Sequence, residues 1–334
     1  MDFEQVIVLG NYNEWLDKSL TDLKNKKNCK LINTYLPCNN KILLRMASIH
    51  YSPRLNKRIK MPFKRIWYRY FCKCIFPNKE AKILVIIYDW NILGCNESFL
   101  KYLKKHFKNL SLVYVFTNII QITNATKTNF VPRLKLYYDL VYSFEEKDAI
   151  ENGFYHTQLV YSKNDTIAAP VRKEVFFAGK AKDRLQMLLE EYHRFKELGF
   201  SCNFHIIDVD DNEIVPLEGV EYNRRISYKQ VIQETSESMC VVEIPQKNST
   251  EWTIKLCEAI YYNKIFITTN KRILDAPFYD KRYMFYVERP EDISAAFFHN
   301  CENVQYKPDA RYYFSVDRFL KMISDDLNRR FKNE

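Results

Sequence analysis

The sequence predicts an α/β protein of two doubly wound domains, and three observations lead there. Short apolar runs of strand length, such as Ile83-Leu84-Val85-Ile86-Ile87-Tyr88, alternate with segments whose apolar residues recur at helical spacing. That alternation favours mostly parallel sheets with helices on both faces. A strand, a turn and a helix open the chain near residue 5, and the same succession returns near residue 174. The chain has 334 residues and is 47% apolar, enough to bury two cores rather than one.

Residues 5–10 read as the first strand, 11–13 as a turn, and 14–23 as a helix with Trp15, Leu16, Leu20 and Leu23 on one stripe. Residues 31–36 read as a strand and 40–49 as a helix. Residues 82–88 are apolar enough for a strand buried on both faces. A helix at 97–107, strands at 111–116 and 140–143 and a short helix from 145 follow. Ser, Lys, Asn, Asp and Pro170 make 161–172 the expected linker. A strand near Val175 then precedes an amphipathic helix carrying Leu185, Leu188, Leu189, Tyr192 and Phe195, which Gly199 ends. Strands at 202–207, 239–244, 265–268 and 283–287 alternate with helices that begin at Ser227 and Thr250. Val316, Phe319, Leu320, Ile323 and Leu327 mark a last helix. The expected domains are 1–165 and 166–312, with 313–334 packing back toward the first.

Composition excludes several classes. No apolar run approaches the roughly 20 residues needed to cross a bilayer. Asp2 and Glu4 interrupt any signal-peptide pattern, so a cytoplasmic protein is expected. The nine cysteines are odd in number and scattered, which fits reduced thiols rather than a disulfide framework. Histidines and cysteines show no metal-ligand spacing, no Asp-x-Asp pair is suited to a metal, and no metal dependence is expected. The net charge is +10 and it is concentrated: between Arg54 and Lys82 there are ten basic residues and one acid, Glu80. An anionic partner is therefore expected there.

Two places carry residues suited to chemistry. Gly179-Lys180-Ala181-Lys182-Asp183-Arg184 lies between a strand and a helix. A glycine there lets the backbone turn tightly, and the helix start adds partial positive charge. Lys180, Lys182 and Arg184 would neutralise a diphosphate, or else form a solvated basic helix start. Glu258, on a helix at the sheet edge, would accept hydrogen bonds from a ribose diol, or else be an ordinary surface glutamate.

A strand ends in Gly-x-x-Lys-x-Arg, a helix follows, then Arg224-Arg225-Ile226-Ser227-Tyr228, a Val-Val-Glu-Ile strand, a Thr-x-x-x-x-Glu-Ala helix and Lys-x-x-x-Thr-Thr-Asn. The order of these pieces resembles a family of bacterial GT-B glycosyltransferases that build capsular polysaccharide and lipopolysaccharide. Val115-Phe116-Thr117-Asn118, Ser143-Phe144-Glu145-Glu146-Lys147-Asp148-Ala149 and Pro277-Phe278-Tyr279 are similar to further segments of that family. The likeness runs from about Lys82 to Val287. It implies two Rossmann-like domains facing a central cleft. It also implies transfer of a sugar from a nucleotide-sugar, with no further cofactor, to a growing glycan, lipid-linked in this reading. Gly179, Lys180, Lys182 and Arg184 would hold the donor diphosphate, Glu258 the ribose, and Arg225, Tyr228, Thr253, Lys255, Thr269 and Asn270 would line the same cleft. The chain departs from the family at Ser249, Glu251 and Lys255, where glutamine, glycine and arginine are usual. An acid at 251 is unfavourable beside a diphosphate unless it points away or meets a cation. These departures also admit a glycosyltransferase-like scaffold without catalysis.

An inverting enzyme needs a base near the acceptor hydroxyl, whereas a retaining one would not need it, and the sequence leaves both open. Asp89 and then Glu14 are the choices, since both follow strands of the first domain; a cap or turn role is the alternative for each. The basic stretch interleaves cations with Ile59, Phe63, Ile66, Trp67 and Tyr70. It would dock on anionic lipid beside the acceptor, at the inner face of the cell membrane, or be a solvated helix face; nucleic acid is the least favoured partner.

Overall fold

Runs rich in Val, Ile and Phe assemble into two sheets of six strands, and every strand pair in both is parallel. The computed structural model describes residues 3–10, 13–34, 36–38, 40–59, 62–76, 78–247, 249–299 and 301–333. Residues 11 and 12 of the expected first turn, Tyr35 of the expected second strand, and Lys60 and Met61 of the basic stretch lie outside them. The chain divides into a unit of Met1–Thr157 with Leu320–Glu334 and a unit of Gln158–Phe319.

The first sheet comprises β1 (Gln5–Leu9), β2 (Cys29–Ile32), β3 (Ile83–Tyr88), β4 (Leu110–Phe116), β5 (Leu140–Ser143) and β6 (Tyr155–His156), in the order β2-β1-β3-β4-β5-β6. All six residues of β3 are buried, as a central parallel strand covered on both faces requires. The strand order reverses between β1 and β3, where Val6 pairs with Leu84. The second sheet comprises β7 (Glu174–Lys180), β8 (Ser201–Ile207), β9 (Val220–Tyr222), β10 (Cys240–Glu243), β11 (Ile265–Thr268) and β12 (Met284–Tyr286), in the order β12-β11-β10-β7-β8-β9. Its order reverses between β7 and β10, where Val175 pairs with Cys240. Such reversals leave a crevice outside the carboxyl ends of the strands, where doubly wound proteins bind ligands.

The longer helices form near where the apolar spacing places them, although the expected 14–23 helix is two pieces, Glu14–Ser19 and Thr21–Lys24, and the one expected from Thr250 starts at Ile254. The helices Pro53–Arg58 and Pro308–Tyr313 left no such signal. Polar caps fix several starts. Asn96 accepts a hydrogen bond from the Phe99 N–H at the head of the Glu97–His106 helix, and Thr253 caps the Ile254–Tyr262 helix through the Lys255 N–H. The segment 157–173 contains no helix or strand. β2 stops at Ile32, short of the expected 36, and β6 and β9 have two and three residues, too few to leave a periodic signal.

The basic segment needs a correction. The sequence suggests that Phe63, Ile66, Trp67 and Tyr70 share one helix face. In the Lys64–Ile75 helix Trp67, Tyr68, Phe71, Cys72 and Ile75 are buried instead, and Phe63 and Ile66 stay exposed. Trp67 turns inward because its Nε1 donates to His50 Nδ1 at 2.5 Å, and Tyr68 lies parallel to Tyr51 with ring centroids 6.4 Å apart. A neighbouring helix, Lys41–Tyr51, provides both partners.

Candidate functional site

The turn after β7 is cross-linked to the segment after β10. A Cβ on Gly179 would lie 3.0 Å from Phe177 Cζ and 3.4 Å from Arg184 Nη2, so a larger residue would crowd the Phe177 ring. Arg184 donates to the Lys180 carbonyl through Nε at 3.2 Å and Nη2 at 3.0 Å, and through Nη1 to the Ile244 carbonyl. Its guanidinium also sits 5.6 Å from the Phe177 ring centre. Asp183 Oδ2 accepts from the Lys247 N–H at 3.0 Å, and Lys182 Nζ donates to Gln246. Arg184 is thus a clamp across the point where the strand order reverses. Lys180 and Lys182 are the cations left at the surface of the turn. Lys180 Nζ is 2.7 Å from Asp208 Oδ2, and Arg225 approaches the other Asp208 oxygen at 3.8 Å. Burial and then the charges of Arg184 and Lys180 lower the Lys182 pKa, so a bound anion would relieve the crowding.

The acids behind this turn are enclosed. Glu258 has no exposed surface; its Oε1 accepts from Tyr228 Oη at 2.8 Å and its Oε2 from Lys255 Nζ at 2.8 Å. It is therefore neither a surface glutamate nor an open carboxylate. Lys255 Nζ lies 5.5 Å from the Phe176 ring centre. Burial and then Glu258 hold the Tyr228 hydroxyl well above its ordinary pKa. Glu243, the last residue of β10, accepts from the Thr253 N–H at 3.0 Å and from Thr268 Oγ1 at 2.8 Å; burial raises its pKa. Thr253 Oγ1 donates to Glu243 and accepts from the Lys255 N–H. A continuous path therefore joins Glu258 to Arg184 through Lys255, Thr253, Glu243 and Ile244. The Thr269 N–H donates to the Glu243 carbonyl at 3.2 Å. Asn270 Nδ2 holds the carbonyls of Thr250 and Glu251, and so supports this loop. Glu251 is buried and meets Arg272 Nη1 at 2.5 Å and Gln158 Nε2 at 3.0 Å. The unusual acid is thereby neutralised.

Sequence reasoning missed Glu243 and Asp208. The signal for both was position: each is an acid at or just past the end of a strand next to the reversal.

In the first unit Asp89 and Glu14 follow β3 and β1, the pair at which that sheet reverses. Asp89 has no exposed surface, and Oδ1 accepts from Thr117 Oγ1 at 2.6 Å. Its Oδ2 has no hydrogen-bond partner among the described residues, and burial pushes its pKa up to about 7. Glu14 is exposed on the first turn of its helix. Asn91 Nδ2 donates to the Gly10 carbonyl at 2.6 Å, which ties the two strand ends together. A cavity of about 1120 Å³ opens at the amino ends of the second sheet, lined by Arg172, Phe200, Met239 and Lys264 among others. It receives none of these residues.

No family model and no curated protein matches the sequence. Solved structures do match. An α-glucosyltransferase in complex with UDP and a 13-mer DNA aligns at TM-score 0.56 and 10% identity, over 98% of this chain and 100% of that one. The OtsA apo structure aligns at TM-score 0.51 and 11% identity, over 97% and 99%. TarM aligns at TM-score 0.48 and 12% identity over 78% of this chain, which spans 57% of TarM's length. The first two likenesses show the fold: two parallel doubly wound units of the GT-B class.

Proposed function

We propose that the chain is a glycosyltransferase that moves a sugar from a nucleotide-sugar to a growing surface glycan, such as capsule, O-antigen or lipopolysaccharide. The observation that carries this reading is the cationic turn at Lys180 and Lys182, clamped by Arg184 at the strand-order reversal of the second sheet. Such a turn suits a diphosphate. The fold shared with an α-glucosyltransferase solved with UDP supports the same chemistry.

In this reading the acceptor hydroxyl attacks the anomeric carbon. The new C–O bond forms as the bond to the diphosphate breaks, and a carboxylate of the first unit takes the hydroxyl proton. Lys180 and Lys182 take the charge left on the departing diphosphate, with no metal or other cofactor invoked. Glu258 fixes Lys255 and Tyr228, which flank the ribose in this reading; Thr269, bonded to the Glu243 carbonyl, is assigned to the same cleft. Glu14 is the carboxylate with open access; Asp89 has a pKa near neutrality but is enclosed. The acceptor is lipid-linked and the reaction cytoplasmic.

A second reading, a scaffold without catalysis, is favoured by the saturated, enclosed Glu258 and by the pairing of Lys180 with Asp208. Calorimetry with nucleoside diphosphates and the matching nucleosides separates the two. An enzyme binds at least one diphosphate more tightly than its nucleoside. Replacing both Lys180 and Lys182 by Ala should erase about 1–3 kcal/mol of that difference. Absence of any nucleotide binding at millimolar levels selects the scaffold. A hydrolysis screen across sugar nucleotides then identifies the donor, and Glu14→Gln against Asp89→Asn identifies the base by loss of transfer.

A further inference from the structure

We infer that the first unit docks on an anionic lipid bilayer through a surface built from three consecutive helices, Lys41–Tyr51, Pro53–Arg58 and Lys64–Ile75. Charge is the first ground. Between residues 23 and 79 the sequence holds fifteen Lys and Arg and not one Asp or Glu. Arg45, Arg58, Arg65 and Arg69 are exposed, and none is in an ion pair with a described residue. A surface with no internal acid attracts anionic lipid at short range.

Exposed apolar side chains are the second ground. Of the seventeen large apolar side chains most open to solvent among the described residues, seven fall between residues 42 and 66. In the Lys41–Tyr51 helix Ile42, Met46 and Ile49 share one exposed stripe, opposite Ala47 and Tyr51, which are buried. Ile59, Phe63 and Ile66 continue the apolar exposure into the cationic segment. A merely solvated basic face would not carry this much aliphatic surface. Aliphatic and aromatic side chains interleaved with cations suit the interface between headgroups and acyl chains. Among the described residues no helix is long and apolar enough to cross a membrane, so these helices would lie on the surface.

Phe63 is the sharpest case. It is 75% exposed and its φ is +60°, a left-handed conformation that favours Gly or Asn over a bulky side chain. Neither packing nor backbone preference accounts for a phenylalanine there. Insertion into lipid does.

This inference does not depend on the transferase reading, because its assay contains no sugar nucleotide. The full chain is sedimented with vesicles of phosphatidylglycerol and phosphatidylcholine in equal parts, and with phosphatidylcholine alone. The expected result is binding to the anionic vesicles only, weakening as salt rises. Phe63→Asn combined with Ile66→Ser should lower the partition coefficient about tenfold. Phe63→Asn alone should weaken binding while raising the melting temperature, since it relieves the left-handed strain. A surface that merely supports the fold would not move the two readouts in opposite directions. Failure to sediment with anionic vesicles at low salt overturns the inference, as does unchanged binding of the double variant. So does a concentration-dependent dimer that Phe63→Asn abolishes, because the patch would then join two copies of the chain.

Discussion

Glu191 sits in the Leu185–Glu197 helix with no exposed surface and no hydrogen-bond partner for either carboxyl oxygen among the described residues. Burial pushes its pKa up to about 8, far above the ordinary glutamate value. The folded state therefore holds a proton there that the unfolded state gives up above about pH 4.5. Stability contributed by that proton is full at low pH, declines as pH rises and is gone once pH passes the folded value near 8. The span corresponds to roughly 3–5 kcal/mol at most. Glu191→Gln keeps the shape and removes the titration. Urea midpoints measured from pH 5 to pH 8 should fall for the wild type and lose that component in the variant; parallel profiles would show that Glu191 does not carry it. Glu251 teaches a related lesson about what sequence reveals. Its acid was legible as a departure from the resembled family, and so was the need for a cation. That the cation is Arg272, twenty-one residues on, depends on Asn270 and its loop folding back across the Thr250–Glu251 carbonyls. No local spacing announces that.

At the scale of elements, long strands were legible because central parallel strands are apolar throughout, as β3 is. β9 was not, because three half-buried residues carry no period. What fixes β9 is a glycine. Gly219 has φ +78°, and a Cβ there would come within 2.0 Å of the Cys202 carbonyl oxygen on β8. Its own carbonyl accepts from the Phe204 N–H at 2.8 Å, which starts the pairing of β9 with β8. Gly219→Ala combines an unfavourable backbone conformation with a backbone clash, and should destabilise the second unit by about 2 kcal/mol or more. Because Asn223 follows β9 and pins Val209 through both of its amide atoms, the Asp208 turn should loosen too. Hydrogen exchange would show this as faster exchange across residues 204–225. A variant with wild-type protection there would remove Gly219 from that role. The orientation of the Lys64–Ile75 helix was misread for a different reason. Its apolar residues cover most of its circumference, so periodicity gave two faces, and the His50 and Tyr51 partners chose between them.

At the scale of the whole molecule, the doubly wound order of both sheets follows from strand–helix alternation and right-handed crossovers, so it was readable before any side chain was placed. The last helix, Val316–Asn333, is harder: it is expected to pack back toward the first domain, but its amphipathic stripe does not say which residues there it covers. Its residues from Leu320 onward belong to the first unit, although they follow the second in sequence. Asp326 Oδ2 accepts from Tyr142 Oη at 2.5 Å on β5, and Arg330 donates to the Asp139 carbonyl. Tyr142 has no exposed surface, and burial with Asp326 beside it drives its pKa upward. Ile323 and Leu327 are fully buried as well. Ending the chain at Phe319 would strip both aliphatic side chains from the molecule and uncover Tyr142, a loss of about 3–6 kcal/mol from the first unit. The second unit keeps its clamp at Arg184 and its Glu258–Lys255–Tyr228 cluster, all within Gln158–Phe319. The truncated chain should therefore be cleaved rapidly by protease within residues 1–157 while, on the proposed function, binding a nucleoside diphosphate as the full chain would. Equal protease resistance of the two forms would mean that the last helix does not hold the first unit together. Loss of nucleotide binding along with the first unit would mean that the donor cluster needs more than the second unit to keep its shape.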